Sequence, residues 1–187
     1  MKKVKTILVG GAGVDKSNIT KYLDENQYAT VGAANLRYTC SSSRGDITFT
    51  IWDTAGQERY KTLAPMYFAG SYCALLVFDI ASKESFEVLD EFYGLLKSRA
   101  PAECIFVLVG NKIDKEKERQ ISQEEAEDYS QKIGAIKYVE ISTLTGEGIK
   151  ELFKLIANCP DLHYEDDIKD SYIPDLPPPE QMKKQCF

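Results

Sequence analysis

Short, uninterrupted runs of apolar residues recur along the chain and predict buried strands. Val4 to Val9 runs into a pair of glycines, and two later runs, Cys73 to Asp79 (CALLVFD) and Cys104 to Gly110 (CIFVLVG), have the length of a strand. Ile136 to Glu140 is a shorter segment of the same kind. Runs without alternating polar positions are typical of parallel strands that are covered by helices on both faces.

A different pattern predicts one antiparallel pair of strands. Arg37 to Ser42 and Ile47 to Trp52 are strand-forming segments that flank Ser43 to Asp46 (SRGD). Glycine and aspartate between two such segments favour a hairpin turn. The preceding segment, Asn26 to Leu36, is predicted to be a loop.

Helical patterns fill the intervals between the predicted strands. Lys16 to Glu25 follows the first strand, and the capping-box pair Ser122 and Glu125 opens a helix that runs through Ile133. Apolar residues at helical spacing predict a crossover helix and a last helix, at Phe86, Leu89, Tyr93 and Leu96 and at Ile149, Leu152, Phe153 and Ile156. The alternation predicts an α/β fold with a doubly wound, mostly parallel sheet of about six strands and about five helices, and a ligand at the carboxyl ends of the strands.

Composition and charge separate a domain from a tail. The hydrophobic share of 43% over 187 residues is enough for a packed core. Residues 160–187 carry four of the six net negative charges and include five prolines, so we expect a domain over 1–159 and a disordered tail over 160–187. The nearly neutral domain argues against nucleic acid as the main partner.

Cysteine spacing and hydrophobic length bear on the cellular compartment. The five cysteines are widely spaced without a C-x-x-C motif, which argues against a disulfide framework or a zinc site. No apolar run approaches the length of a transmembrane span. We therefore expect a cytoplasmic protein.

Four polar motifs follow predicted strands and are expected to meet at one edge of the sheet: Gly10 to Ser17, Asp53 to Gln57, Asn111 to Asp114, and Ser142 to Leu144. The first, GGAGVDKS, approaches the phosphate-loop pattern G-x-x-x-x-G-K-[ST], in which backbone N–H groups cradle phosphates and the lysine reaches the β/γ oxygens. Asp15 stands where that pattern requires its second glycine.

With these motifs, the chain resembles the Ras-like small GTPases, and within them the Rab branch, over residues 3 to 157. The segment Ile51 to Tyr60 (IWDTAGQERY) carries the resemblance most strongly, followed by LAPMYFAG and LLVFDI. The resemblance implies a P-loop GTPase G domain that binds GTP or GDP with Mg²⁺. It also implies regulator and effector proteins as partners.

The resemblance assigns a role to each matching residue. Gln57 would orient the water that attacks GTP, and the Gly56 N–H would meet the γ-phosphate. The Mg²⁺ ligands would be Ser17, Thr30 and, through water, Asp53. The remaining nucleotide contacts would come from Gly13, Val14, Asp15, Lys16, Ser17, Tyr28, Asn111, Lys112, Asp114, Ser142, Thr143 and Leu144.

The base is predicted to be guanine. An ionised Asp114 accepts hydrogen bonds from the guanine N1–H and N2–H₂ groups, which adenine does not present, and the missing contacts would cost about 2–4 kcal/mol. The backbone N–H of Thr143 would meet the guanine carbonyl, as in the family. Leu144 replaces a lysine whose stem lies on the base, which leaves two outcomes open, a weakened base site or an equivalent apolar contact.

Asp15 also leaves two outcomes open. If its carboxylate faced the phosphates at roughly 4 Å, repulsion at an effective dielectric of about 20 would amount to about 4 kcal/mol, or about three decades of affinity. If the side chain instead turned to solvent, Mg²⁺ or Lys16, the loop would work with a modest loss.

The segment expected to close over the nucleotide is short. Only Ala29 separates Tyr28, which aligns with an aromatic near the base, from Thr30, which aligns with the Mg²⁺ ligand. Two Cα steps span roughly 7 Å, so the two residues are not expected to perform both family roles. We therefore predict a weak dependence on Mg²⁺.

The remaining expectations concern surfaces. Trp52 and Tyr67 match aromatics of a partner-facing patch in Rab proteins, with core packing as the alternative, and Asn35 replaces the third aromatic. Cys186 is a candidate lipidation site, although Cys186-Phe187 is not a C-a-a-X box. A lipidated protein would lie peripherally on an endomembrane.

Two functions follow from the motifs and their departures. The leading hypothesis is a guanine-nucleotide switch with slow, partner-dependent GTP hydrolysis in vesicle trafficking. The alternative is a pseudo-GTPase that keeps the fold as a constitutive protein-binding module, which Asp15 and the short closing segment favour.

Overall fold

The computed structural model describes residues 2–25, 29–31, 35–53 and 68–165 of the chain. The described part contains a seven-stranded sheet in the order β2-β3-β4-β1-β5-β6-β7. Its strands are β1 (Lys2–Val9), β2 (Ala29–Val31), β3 (Leu36–Ser42), β4 (Gly45–Asp53), β5 (Cys73–Asp79), β6 (Ile105–Asn111) and β7 (Lys137–Glu140).

Helices connect these strands and cover both faces of the sheet. The α-helices are α1 (Lys16–Glu25), α2 (Lys83–Glu87), α3 (Leu89–Arg99), α4 (Gln123–Lys132) and α5 (Ile149–Ala157), and a 3₁₀ helix spans Ile113–Glu118. The single predicted crossover helix is instead two helices, because the helix is interrupted at Val88, which caps the end of α2 and the start of α3. No helix in the described ranges is both long and apolar enough to cross a membrane.

The pairing confirms the predicted doubly wound, mostly parallel α/β fold. Strand β1 runs parallel to β4 and β5, and β6 runs parallel to β5 and β7. Strands β2 and β3 form the antiparallel part of the sheet with β4. The loop prediction for Asn26 to Leu36 is wrong for Ala29–Val31, which forms the edge strand β2, and for Leu36, which begins β3.

Alternate residues of the strands feed two separate cores. On β1, Val4 and Leu8 pack with α1 and α5, whereas Ile7 and Val9 pack with α2, α3 and α4 on the opposite face. All seven residues of β5 are buried. Burial on both faces explains why these strands appear in the sequence as continuous apolar runs.

Ordered packing extends beyond the boundary predicted at residue 159. Leu162 is 3% exposed and belongs to the core on the α5 side. The backbone N–H of Glu165 donates to the carbonyl of Lys3 at 2.8 Å. The guanidinium of Arg44 donates to the carbonyl of Ala157, the last residue of α5, and to the carbonyls of Cys159 and Pro160. The rest of the predicted tail, 166–187, lies outside the described residues.

Four cysteines in the described ranges are buried free thiols: Cys40, Cys73, Cys104 and Cys159. Burial raises the pKa of the Cys104 thiol to about 12, so this group stays protonated at neutral pH. These cysteines therefore behave as small apolar core residues.

Candidate functional site

The loops that carry the predicted motifs meet at the carboxyl ends of the parallel strands. The loop Gly10 to Ser17 joins β1 to α1, and Asp53 ends β4 beside Leu8 of β1. Asp79 ends β5 directly opposite Asn111, which ends β6. Sheet register therefore brings motifs far apart in sequence to one edge, as expected of ligand sites in doubly wound folds.

The phosphate-loop segment has the shape that its glycines permit. Gly10 has φ 151°, and a Cβ at this position would collide with the carbonyl oxygen of Val77. The ammonium of Lys16 lies inside the loop and donates to the carbonyls of Gly10 and Gly11 at 2.7 and 2.8 Å. Because Lys16 is only 4% exposed, the loop holds a positive charge close to its backbone, as the binding of an anionic group requires.

Asp15 takes the left-handed backbone conformation, with φ 63°. Aspartate is among the non-glycine residues that tolerate this region. Its Oδ2 lies 3.3 Å from Nζ of Lys112. The sequence suggested solvent, Mg²⁺ or Lys16 as destinations for this carboxylate, and the structure places it instead against a lysine of another motif.

Lys112 is held by three oxygen groups. Its Nζ donates to the carbonyl of Gly13 at 2.7 Å and lies 2.9 Å from Oδ2 of Asp79 and 3.3 Å from Asp15. Burial lowers the pKa of Lys112, but the two carboxylates outweigh burial and raise it overall. Asp79 was not among the predicted site residues, although a carboxylate that ends an otherwise apolar strand was a usable signal.

Asn111 joins three loops through its buried amide. Its Nδ2 donates to the carbonyl of Val14 at 2.9 Å and to Oγ1 of Thr143 at 3.1 Å. Its Oδ1 accepts from the N–H groups of Lys112, at 2.8 Å, and Thr143, at 3.0 Å. The Thr143 N–H, predicted to meet the guanine carbonyl, thus donates to Asn111 in this structure.

Asp114 is oriented by the loop after β7. The hydroxyl of Ser142, which is fully buried, donates to Oδ1 of Asp114. The same hydroxyl accepts from the N–H of Thr145 at 3.2 Å. An ionised carboxylate has two oxygens with several acceptor positions, so this bond fixes the group and still leaves capacity to accept from a ligand.

A cavity of about 390 Å³ opens between α1 and the loops that follow β6 and β7. This volume lies within the range of ligand pockets, roughly 300–1,000 Å³. Of the predicted residues, it is lined by Asp15, Lys112, Asp114, Thr143 and Leu144. The sequence missed four others that also line it: Asn18, Lys21, Tyr22 and Lys115.

Two side chains define the apolar part of the cavity. Leu144 is 80% exposed, the one large hydrophobic residue with such exposure among the described residues. The Tyr22 ring lies against Gly146, where a Cβ would collide with it. Gly146 also has φ 83°, so glycine is required there both for the backbone and for the ring.

An ion-pair network braces the loops that carry Asp114 and Ser142. The guanidinium of Arg119 lies within 2.7 Å of Glu140 and 2.6 Å of Glu116. Glu140 also accepts from the hydroxyl of Tyr138 at 2.6 Å and from Gln123 at 3.3 Å. Burial raises the pKa of Glu140, but these donors outweigh burial and lower it overall.

The residues predicted to ligate Mg²⁺ are only partly described. Ser17 is an exposed residue in the first turn of α1, and Asp53 ends β4 at the same edge of the sheet. The backbone of Thr30 pairs with Arg37 in the sheet. Hydroxyl and carboxylate oxygens suit Mg²⁺, which usually keeps several waters, so these residues fit the ion. Within the described ranges, no group of three or more His, Cys, Asp or Glu residues is arranged to hold a metal.

The remaining predicted site residues divide into two sets. Trp52 is 5% exposed and packs in the core on the α2–α4 side, with Nζ of Lys5 at 5.3 Å from the ring centroid. Its predicted place on a partner surface is therefore not supported, and the core alternative is favoured. Tyr28, Gly56, Gln57, Tyr67 and Cys186 lie outside the described residues.

Comparisons with known proteins agree with this arrangement. The sequence model described as the Ras family matches residues 5–159. Ras-related protein Rab-31 of Mus musculus is 37% identical over 84% of this chain and 83% of its own length. Ras-related protein Rab-5A of Dictyostelium discoideum is 38% identical over 82% and 78%, and Ras-related protein RABF2a of Arabidopsis thaliana is 37% identical over the same shares. The matched residues include all the loops that surround the cavity.

Proposed function

Since the chain belongs to the Ras family of small GTPases and to its Rab branch, we propose that it is a guanine-nucleotide-binding switch in vesicle trafficking that hydrolyses GTP slowly. One observation carries the proposal: the Asn111 side chain joins Val14 of the phosphate loop to Thr143 of the loop that follows β7. This link between the two loops supports a phosphate cradle and a base-reading carboxylate within one site.

Guanine is the base that this site favours. The carboxylate of Asp114, held by Ser142, accepts hydrogen bonds from the N1–H and N2–H₂ edge of guanine. Adenine offers no matching donors, so its binding would leave a desolvated carboxylate unpaired at a cost of about 2–4 kcal/mol. The exposed side chain of Leu144 supplies apolar contact with the base.

Hydrolysis of GTP requires that the attacking water and the phosphates be positioned and their charge stabilised, rather than a strong nucleophile from the protein. Mg²⁺, held by Ser17, Thr30 and Asp53, would neutralise charge that develops on the phosphates. Lys16 binds the phosphate oxygens, the Gly56 N–H contacts the γ-phosphate, and Gln57 orients the attacking water. No arginine is assigned to the phosphates, so turnover depends on a regulator protein that supplies the missing charge.

A nucleotide-dependent switch implies regulator and effector proteins as partners. GTP and GDP favour different conformations of the loops that contact the γ-phosphate, and regulators and effectors read that difference. Association with an endomembrane would require lipidation of Cys186. A single lipid chain without a strong basic patch would anchor the protein only marginally.

The first experiment identifies the ligand that the protein carries. Purified protein is denatured and the released small molecules are separated and identified, with the Asp114→Ala variant as the matched control. We expect GDP or GTP from the unmodified protein and much less from the variant. Adenine nucleotide, or the same guanine nucleotide from both proteins, would contradict guanine recognition by Asp114.

A second experiment tests the enzyme. GTP turnover is measured for the unmodified protein and for Gln57→Leu, each loaded with GTP. We expect the variant to keep nucleotide affinity and to lose hydrolysis, because leucine does not orient water. Equal turnover by both proteins would remove Gln57 from the mechanism.

A pseudo-GTPase remains the second candidate, because Asp15 places an acid in the phosphate loop. In that case the folded protein would release no nucleotide on denaturation. It would also bind its protein partners equally well with GDP, with GTP and without either.

A further inference from the structure

Asp15 occupies the position of the phosphate loop at which the G-x-x-x-x-G-K-[ST] pattern has its second glycine. The residue immediately precedes Lys16, and its side chain, 40% exposed, lines the same cavity as Asp114. An unpaired carboxylate at roughly 4 Å from a phosphate would lower affinity by about three orders of magnitude at an effective dielectric of about 20. The surroundings of Asp15 therefore decide whether the site accepts a nucleotide.

The geometry supplies a counter-charge. Asp15 has φ 63°, a conformation in which its Oδ2 lies 3.3 Å from Nζ of Lys112. The side chain of Lys112 is 15% exposed, so solvent screens the pair only in part. The pair joins the phosphate loop to the loop that carries the guanine-reading Asp114.

The three acceptors around Lys112 match the three N–H groups of its ammonium: the carbonyl of Gly13 and the carboxylates of Asp79 and Asp15. Two of these acceptors, Gly13 and Asp15, belong to the phosphate loop. Asp79 fixes the lysine from the end of β5. Lys112 is thus placed to hold the loop in shape and to offset part of the charge of Asp15, while it also pairs with Asp79.

We propose that Asp15 and Lys112 act as one ion-paired unit, in which Lys112, held in place by Asp79, offsets part of the charge of Asp15 and so permits a nucleoside phosphate to bind beside an acid. Lys112 lies in the loop after β6 that carries Asp114, and in this unit it also acts as a positioning residue for the phosphate loop. This inference rests on the proposed nucleotide binding, and it explains how the chain keeps a site in spite of Asp15.

The test is a double-mutant cycle on GDP affinity, with the full chain in four forms: unmodified, Asp15→Gly, Lys112→Met and the double variant. We expect Asp15→Gly to change the Kd for GDP by less than about tenfold, because Lys112 already offsets much of the charge of Asp15. We expect Lys112→Met to weaken binding about tenfold more in the presence of Asp15 than in the Asp15→Gly background. Additive effects, or a gain of about three orders of magnitude from Asp15→Gly alone, would overturn the proposal.

Lys115→Met is the matched control, because Lys115 also lines the cavity but is not paired with Asp15 in the structure. The same cycle with Lys115 should be additive to within about twofold. Coupling as large as that of Lys112 would mean that any nearby cation neutralises Asp15, which would contradict a specific unit.

Thermal unfolding of the nucleotide-free proteins separates this inference from the proposed function. We expect Asp15→Asn to shift the midpoint less in the Lys112→Met background than in the unmodified one, whether or not GDP binds. If Lys112→Met does not fold, Asp15→Asn alone is compared at low and high salt, with Asp128→Asn, an exposed acid on α4, as the control. A loss of stability that exceeds the control at low salt and fades at high salt supports the pair. A salt-independent difference overturns it.

Discussion

Asn111 connects three segments of the site through a single side chain. Its amide is fully buried and bonds to Val14, Lys112 and Thr143. A buried amide with all these bonds made is rigid, and each unpaired group left by its removal would cost about 1–3 kcal/mol. A single side chain, that of Asn111, therefore fixes the spacing between the phosphate loop and the loop that follows β7.

Glu140 yields a prediction on pH. We expect Glu140→Gln to lower the free energy of unfolding at pH 7 by about 1–2 kcal/mol, less than for a fully buried ion pair because the carboxylate is partly exposed. The pKa of Glu140 is lowered in the folded protein, so its stabilising effect is complete above the ordinary glutamate pKa. The effect is lost as the pH falls through the lowered folded value.

Urea unfolding of both proteins from neutral to acidic pH measures this difference. Exposed Glu127 on α4 provides the control as Glu127→Gln, which should change stability by less than about 0.5 kcal/mol. A difference between Glu140→Gln and the unmodified protein that stays constant at acidic pH would contradict the assigned role of the carboxylate.

Sequence motifs indicated which loops meet at this edge of the sheet, but not the contacts between their side chains. The residues Asn111, Asp114 and Ser142 were predicted from their motifs, because spacing after a strand indicates which loop they occupy. The pairing of Asp15 with Lys112 was not predicted, because it depends on the left-handed backbone of Asp15 and on the sheet register that places Asp79 opposite Asn111. Tyr22 was missed because an aromatic on an amphipathic helix has the same pattern whether it faces a core or a cavity.

At the scale of elements, long buried strands were predictable and short ones were not. Strand β5 is buried on both faces, which leaves a continuous apolar run in the sequence. Strand β2 contains only Ala29–Val31, too short for any periodic pattern, and is stabilised by pairing with β3. The break at Val88 was missed because apolar positions on both sides keep helical spacing.

Strand β2 yields a prediction on Mg²⁺. The backbone of Thr30 is paired with Arg37, and Tyr28 is only two residues away. We expect chelation with EDTA to weaken GDP binding by less than about tenfold, because this short segment does not serve both the base and the metal. Titration with GDP in Mg²⁺ and in EDTA measures the ratio, and a loss of several hundredfold on chelation would contradict the prediction.

At the scale of the whole molecule, residues 160–165 pack against the domain. Glu165 pairs with Lys3 on β1, Leu162 is buried, and Arg44 donates to the carbonyls of Cys159 and Pro160. Composition predicted a boundary at residue 159 because prolines and acids increase after Pro160. Local composition does not reveal that a single leucine after this boundary, Leu162, is buried in the core on the α5 side.

Truncation tests this boundary. We expect a chain that ends at residue 165 to unfold at the same temperature as the full chain. A chain that ends at residue 159 loses the buried Leu162 and should unfold several degrees lower, since about 1 kcal/mol corresponds to roughly 2–4 °C in a domain of this size. Equal midpoints for the two truncated chains would show that residues 160–165 add nothing to stability.

Calorimetric titration of the folded, nucleotide-free protein with GDP and with ADP tests guanine-nucleotide binding most directly. The geometry of Asp114 and Ser142 predicts that GDP binds at least about 30-fold more tightly than ADP, as expected from about 2 kcal/mol of lost hydrogen bonding. Equal affinity for both nucleotides, or no heat with either, would contradict a guanine-nucleotide switch.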